Sequence, residues 1–235
     1  MESLQKTQRL IDRSDAIVCI SNHCKTDVIT NLDVKDKPVH VVHNGTHNVT
    51  IPPLVPFGYR PAKPFLFTMG YVNRKKNFHT LVPLLNDSDF DLVIAGKLDE
   101  PEYVHKMKVE ARRLGVSERL HILGRVSEAD KAWYFKNCMA FTLPSLAEGF
   151  GAPVVEAMKF GKPIFLSNLT SLPEIGGDVA FYFNSFEPGH MQHVLADGIF
   201  KYSQNGLDKK IMARGNEFDW GEKAIEYLKV YKSML

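Results

Sequence analysis

Short apolar runs rich in β-branched and aromatic residues recur along the chain, each followed by a polar stretch with helical spacing: AIVCIS (16–21), VHVVHN (39–44), PFLFTMG (64–70), DLVIAG (91–96), LHILG (120–124), CMAFTLP (138–144) and PIFLS (163–167). Strands that alternate with helices predict a parallel α/β sheet. In FLFTM and LVIA the apolar residues follow one another almost without a break. That pattern fits strands covered by helices on both faces better than half-exposed antiparallel strands. The stretch THNVTIPPLVPFGYRPAKP between the second and third runs holds five prolines from Pro52 to Pro64 and little periodicity, as linkers do. The expected division is residues 1–50, a helix, strand, helix and strand belonging to a different unit; residues 51–217, a complete doubly wound unit; and a last helix over 218–235. In that helix Trp220, Ala224, Tyr227, Leu228, Tyr231 and Leu235 recur on one face, and such a stripe needs a surface to lie on.

Composition narrows the partners. With 29 basic and 27 acidic residues the 235-residue chain has a net charge of +2, whereas nucleic-acid binders concentrate basic residues. A small-molecule substrate is expected, and no nucleic acid. No apolar run approaches the roughly 20 residues of a membrane span, and the N-terminus MESLQKTQRL has no apolar signal core. The expectation is a cytoplasmic chain. His105-Lys-Met-Lys with Arg112-Arg113 reads most simply as the wet face of a helix, with peripheral contact at the inner face of a membrane as the alternative. Cys19, Cys24 and Cys138 form no C-x-x-C pair and are odd in number, which points to buried thiols rather than disulfides or zinc ligands.

Open parallel sheets bind ligands in the loops after the carboxyl ends of their strands. Those loops begin at Tyr71-Val-Asn-Arg-Lys-Lys-Asn77, at Lys97, at Arg125-Val126 and at SLAEGFGAPVVEAM (145–158). In the last, Glu148-Gly-Phe-Gly151 precedes a helix whose proline suits its first turn. Bare backbone at a helix N-terminus favours an anion, by about 0.3–1 kcal/mol from the dipole alone. The dinucleotide fingerprint G-x-G-x-x-G is absent, because Val154 stands where its third glycine would be, and this argues against an NAD-dependent oxidoreductase. Glu156 falls about one turn into the helix, while Glu148 stays in the loop. Carboxylates accept two-point hydrogen bonds from vicinal hydroxyls, so two of them flanking an anion site suit a nucleotide sugar. The same residues also read as an ordinary loop glutamate and a solvated helix glutamate. Asp87-Ser-Asp89 has the form of a D-x-D metal motif but precedes a strand instead of following one. It is read as a solvated turn, and no metal is expected. His40 and His43 fall on opposite faces of a strand, and His190 and His193 sit three apart on a helix without a nearby carboxylate or cysteine to complete a site; both pairs are read as structural.

The order of these motifs, from Asn44-Gly45-Thr46 through Gly70–Asn77, LVIAGK and LHILGRV to LPSLAEGFGAPVVEAMKFGKPIFLSNLTSLPEIGGDVAFYF, resembles the C-terminal half of the retaining GT-B glycosyltransferases of family 4, over residues 16 to about 186. The resemblance implies a Rossmann-like doubly wound parallel sheet that binds a nucleotide diphospho-sugar such as a GDP- or UDP-sugar. It places Glu156 on the donor ribose, Glu148 by the transferred sugar and Lys76 on the diphosphate, with Glu148 and Lys76 as the catalytic pair. It also implies donor contacts at Gly149, Phe150, Gly151, Gly70 and Val126, with Arg125 nearby. The family often has an arginine shortly after the glycine of the first loop; here Tyr71 and Val72 occupy that ground, and Arg74 or Lys75 is the candidate substitute. By the same resemblance, no cofactor is used and a hexose passes with retention to a glycan or lipid-linked acceptor. A full GT-B enzyme has two such halves, so the chain is expected to be incomplete as written, working with a separate N-terminal domain chain or by self-association. The alternative is a nucleotide-sugar-binding module or inactive paralogue without turnover.

Overall fold

The computed structural model describes residues 2–47, 52–86 and 88–235. The chain opens with α1 (Glu2–Asp12), β1 (Ile17–Cys19), α2 (Asn22–Asn31) and β2 (Val39–Val41). β1 and β2 pair in parallel as a two-stranded sheet of their own. The Lys37 ammonium donates to the carbonyls of Ile11, Asp12 and Ser14, satisfying acceptors that the end of α1 leaves open. Residues 48–51 of the proline-rich stretch lie outside the described residues. Further along it, Tyr59 stacks on His121 at 3.8 Å and donates to the buried Asp91 carboxylate at 2.9 Å, which pins the stretch to the amino ends of two strands.

The remaining elements alternate as the apolar runs predict: β3 (Phe65–Met69), β4 (Asp91–Ala95), α3 (Pro101–Arg113), β5 (Leu120–Gly124), α4 (Glu128–Asn137), β6 (Ala140–Leu143), α5 (Ala152–Lys159), β7 (Ile164–Ser167), α6 (Leu172–Gly176), β8 (Phe181–Phe183), α7 (Pro188–Asn205), α8 (Leu207–Asn216) and α9 (Trp220–Lys232). Between β3 and β4 the chain forms short 3-10 helices at Arg74–Lys76 and Phe78–Leu85. Six strands make one parallel sheet in the order β5-β4-β3-β6-β7-β8. Every residue of β4, β6 and β7 is buried, while the edge strands β5 and β8 are mostly half-buried. Burial on both faces is why their sequences are apolar without alternation. Phe67, Phe141, Phe165, Tyr103 and Tyr134 are among the largest side chains of the core, and all are essentially inaccessible. β8 was not among the runs that predicted strands. The wet face expected of α3 is present: Tyr103, Val104, Met107 and Ala111 face the core, and His105, Lys106, Lys108, Arg112 and Arg113 are exposed.

The stripe on α9 differs from expectation. Trp220 packs over Gly45, where a Cβ would sit 2.5 Å from the Trp220 Cα, but Leu228, Tyr231 and Leu235 are exposed and only Val230 is buried. Gly45 is therefore demanded by contact with the chain's last helix, and the neighbouring Thr46 amide donates to the Phe218 carbonyl at 2.8 Å. Among the described residues no helix is long and apolar enough to cross a membrane.

Candidate functional site

The strand order places β3 beside both β4 and β6, so the chain winds outward in opposite directions from the β3–β6 pair. Such a reversal opens a crevice at the carboxyl ends of the two strands. The loop after β3 supplies Lys76 to it, and the loop after β6 supplies Glu148. Lys76 Nζ lies 2.5 Å from Glu148 Oε1, with the two side chains only 14% and 11% exposed. The loops are also joined through backbone, the Leu146 amide donating to the Lys75 carbonyl at 2.9 Å.

Local sequence explains the fit. Asn73 caps the 3-10 turn that carries Lys76, its side chain accepting from the Lys76 amide, and Asn77 closes the turn in the left-handed region at φ 58°, which asparagine tolerates. Gly70 leaves room for the Lys76 side chain, because a Cβ there would lie 2.9 Å from Cε. Gly96, at the end of β4, has φ 134°, and a Cβ on it would fall 1.9 Å from the Gly70 carbonyl oxygen. Only glycine allows these two strand ends to approach so closely.

Glu148 is held from behind by the loop after β7. Its amide donates to Thr170 Oγ1 at 2.9 Å, and its carbonyl accepts from Ser171 Oγ at 2.9 Å. The next amides, at Gly149, Phe150 and Gly151, donate no hydrogen bond within the described residues. Gly151 then opens α5 at φ 92°, packed so tightly that a Cβ would meet Leu172 Cδ2 at 2.9 Å. Three unpaired amides at a helix start next to a lysine are a favourable setting for phosphate. One turn into α5, Glu156 accepts from Lys131 of α4 at 3.0 Å, and Lys131 also meets Glu128 at 2.6 Å. Burial pushes the Glu156 carboxyl above its ordinary range; the Lys131 charge pulls the other way without cancelling it.

A further carboxylate ties α2 and the segment after β2 to α6. Glu174 on α6 accepts from the Asn22 amide at 2.9 Å, from Asn22 Nδ2 at 2.8 Å and from His43 Nε2 at 2.6 Å, capping the start of α2. Burial alone would raise the Glu174 carboxyl, but these hydrogen bonds from Asn22, His43 and the His23 amide outweigh it and hold the group low. The His43 ring contacts Phe150 and Phe218, and the Cys24 thiol donates to the Gly149 carbonyl at 3.4 Å. The amide-bearing loop thus rests on the N-terminal segment.

The residues singled out from the sequence distribute unevenly. Lys76, Glu148, Gly149, Phe150, Gly151 and Gly70 come together at the crevice, with the Phe150 side chain buried. Arg74 is 73% exposed and faces Glu100 and Glu102 at the start of α3, so the structure does not bring its guanidinium to the Lys76–Glu148 pair. Lys75 is exposed and contributes its backbone carbonyl. Arg125 is exposed, and Val126 is half-buried against the core. Lys131, Thr170, Glu174 and His43 were missed as site or clamp residues; His43 follows β2 rather than lying within it. Asp87 lies outside the described residues, and Asp89 pairs with Lys63. Cys19 and Cys138 are buried free thiols, while Cys24 is only half-buried.

The doubly wound parallel sheet, with Lys76, Glu148 and the unpaired amides at its switch point, has the fold of GT-B glycosyltransferase structures. Comparison with known proteins agrees, since the family described as "Glycosyl transferases group 1" matches residues 57–212, and the chain belongs to that family. It is 25% identical over 229 residues to the serotype-specific mannosyltransferase WbdA of Escherichia coli, covering 91% of this chain and 28% of that protein. The O-antigen chain mannosyltransferase B of Escherichia coli is 26% identical over 175 residues, covering 70% of this chain and 44% of the relative. The chain therefore spans less than half the length of either relative. Among solved structures, Anabaena HepE in complex with UDP and glucose superposes with a TM-score of 0.81 at 20% identity, over 99% of this chain and 67% of that one. Sucrose-phosphate synthase from Thermosynechococcus elongatus gives 0.80 at 18% identity, over 100% and 62%.

Proposed function

We propose that this chain is the donor-binding part of a hexosyltransferase that moves a hexose, with mannose the first candidate, from a nucleotide diphospho-sugar to a glycan or lipid-linked acceptor with retention of configuration. The observation that carries this reading is the buried Lys76–Glu148 pair, whose glutamate is followed directly by three amides unpaired among the described residues at the start of α5. Mannose is favoured by the names of relatives, among them a GDP-mannose:cellobiosyl-diphosphopolyprenol alpha-mannosyltransferase that is 26% identical over 168 residues.

In this reading the donor diphosphate lies over the amides of Gly149, Phe150 and Gly151, with Lys76 beside it. The glycosidic C–O bond breaks, and negative charge accumulates on the departing diphosphate, where a fixed cation and oriented amides lower the barrier most. The acceptor hydroxyl attacks from the same face and gives its proton to that leaving oxygen, so no protein base is required. Glu148 neutralises Lys76 and, once the diphosphate takes over the cation, is free to accept from sugar hydroxyls. Glu156 accepts from the ribose. No metal or cofactor enters the scheme.

The test is release of nucleoside diphosphate from GDP-mannose and UDP-glucose, with and without a glycan acceptor. Lys76→Met is expected to lower turnover by about 10²-fold or more, the scale of losing one charge-stabilising donor. Nucleotide binding without release from either donor, with every oligosaccharide or polyprenyl acceptor tried, contradicts transfer and identifies a binding module.

A further inference from the structure

We propose that Lys131 is a positioning residue for the ribose carboxylate: by occupying one oxygen of Glu156 it keeps that group charged and turned so that the other oxygen meets the donor's hydroxyls. The inference rests on the reading that Glu156 binds the ribose. Nothing in the sequence suggested it, because a lysine in SEADKAW looks like one more charge on a solvated helix face.

The geometry is specific. Lys131 lies on α4 and Glu156 on α5, and the two helices meet at this contact. The Lys131 side chain is only 17% exposed and that of Glu156 27%, and Nζ is 3.0 Å from Oε1. Oε2 of Glu156 has no hydrogen-bond partner among the described residues. The ammonium spends a second donor on Glu128, whose side chain is 66% exposed and is therefore a weakly held anchor.

A half-buried carboxyl that must accept from hydroxyls is useful only while ionised, and burial works against that. The charges facing Glu156 are Lys131 and Glu128 from α4 and Lys159 from its own helix; Lys131 and Lys159 favour the anion, and Glu128 opposes it. Lys159 is not bonded to Glu156: its ammonium donates to the Thr46 carbonyl at 2.7 Å, and only Lys131 hydrogen-bonds the carboxylate among the described residues. For Lys131 itself burial favours the neutral amine, but Glu128 and Glu156 more than restore the charge and raise it above its ordinary value. It stays a cation throughout the range in which Glu156 titrates.

The experiment is calorimetric titration of GDP and UDP into wild type, Lys131→Met, Lys131→Arg and Glu156→Gln between pH 8 and pH 5.5, with thermal melts at each pH. The nucleotide's own titration is common to all four proteins, so affinity ratios to wild type are read. For Lys131→Met the ratio is expected to worsen as pH falls through the range in which the variant's Glu156 is protonated and the wild type's is still ionised, by up to about ten-fold per pH unit there. Lys131→Arg should track wild type, and Glu156→Gln should bind weakly with no extra pH dependence. A Lys131→Met protein that melts normally and whose ratio to wild type is constant with pH overturns the inference and leaves Lys131 a cross-link between helices. Wild type that binds neither nucleotide overturns the proposed function itself, a separate result.

Discussion

At the scale of single residues, the site is a set of charges whose partners are built in. Lys76 and Glu148 stand out in the sequence by position, each in a loop after a strand where open sheets bind ligands, and their roles follow only from the family resemblance. Lys131 and Glu174 do not, because what distinguishes them is a partner 25 and 131 positions away respectively. Removing Lys76 strands a buried carboxylate, so Lys76→Met should cost about 3–5 kcal/mol in urea unfolding. The double variant Lys76→Met/Glu148→Gln should recover part of that loss. Equal cost in both variants would mean that the pair carries no coupling. Glu174 gives a pH signature. Its folded pKa is held below the ordinary value of 4.5, so the stability it contributes is fully present above that value and disappears as pH falls through the folded pKa. Wild type should therefore lose more stability than Glu174→Gln between pH 6 and pH 3, by chemical denaturation at each pH. Parallel losses would place the acid sensitivity elsewhere.

At the scale of elements, the apolar runs announced seven strands, five of them in the large sheet at nearly their observed bounds, where burial on both faces of the inner strands leaves no polar alternation, while β1 and β2 are half as long as their runs. β8, Phe181–Phe183 at the sheet edge, was missed because its aromatic run follows Asp178-Val-Ala without a turn signal to set it off. The α9 stripe was read correctly as helical, but helical period does not say how much of the stripe is covered. Glycines set the approach of strand ends. Gly96→Ala would force the Gly70 carbonyl away from a Cβ at 1.9 Å and occupy a backbone region that alanine disfavours. The expected cost is at least about 2 kcal/mol in the same unfolding assay. Gly115→Ala, where nothing lies within 4 Å of the new Cβ, should reveal only the strain of its φ of +70° and cost less.

At the scale of the whole molecule, two sheets meet where Glu174 caps α2 and His43 touches Phe150. The short N-terminal sheet is thereby tied to the loop that presents the unpaired amides, and a change in one should be felt in the other. Glu174→Ala should speed hydrogen exchange at the first turn of α2, since removing an acceptor of several hydrogen bonds costs about 1–3 kcal/mol. Unchanged exchange there would show that the clamp is incidental. The order of motifs made the doubly wound half legible in advance. The clamp was not legible, because it depends on how the N-terminal segment docks and no local pattern encodes that. The central claim is that the crevice between β3 and β6 binds a nucleoside diphosphate through Lys76, the amides of 149–151 and Glu156. Calorimetric titration with UDP, GDP and ADP tests it most directly: at least one should bind to wild type, and at least about ten-fold more weakly to folded Lys76→Met and Glu156→Ala. Binding to none of the three, or binding that both substitutions leave intact, would contradict it.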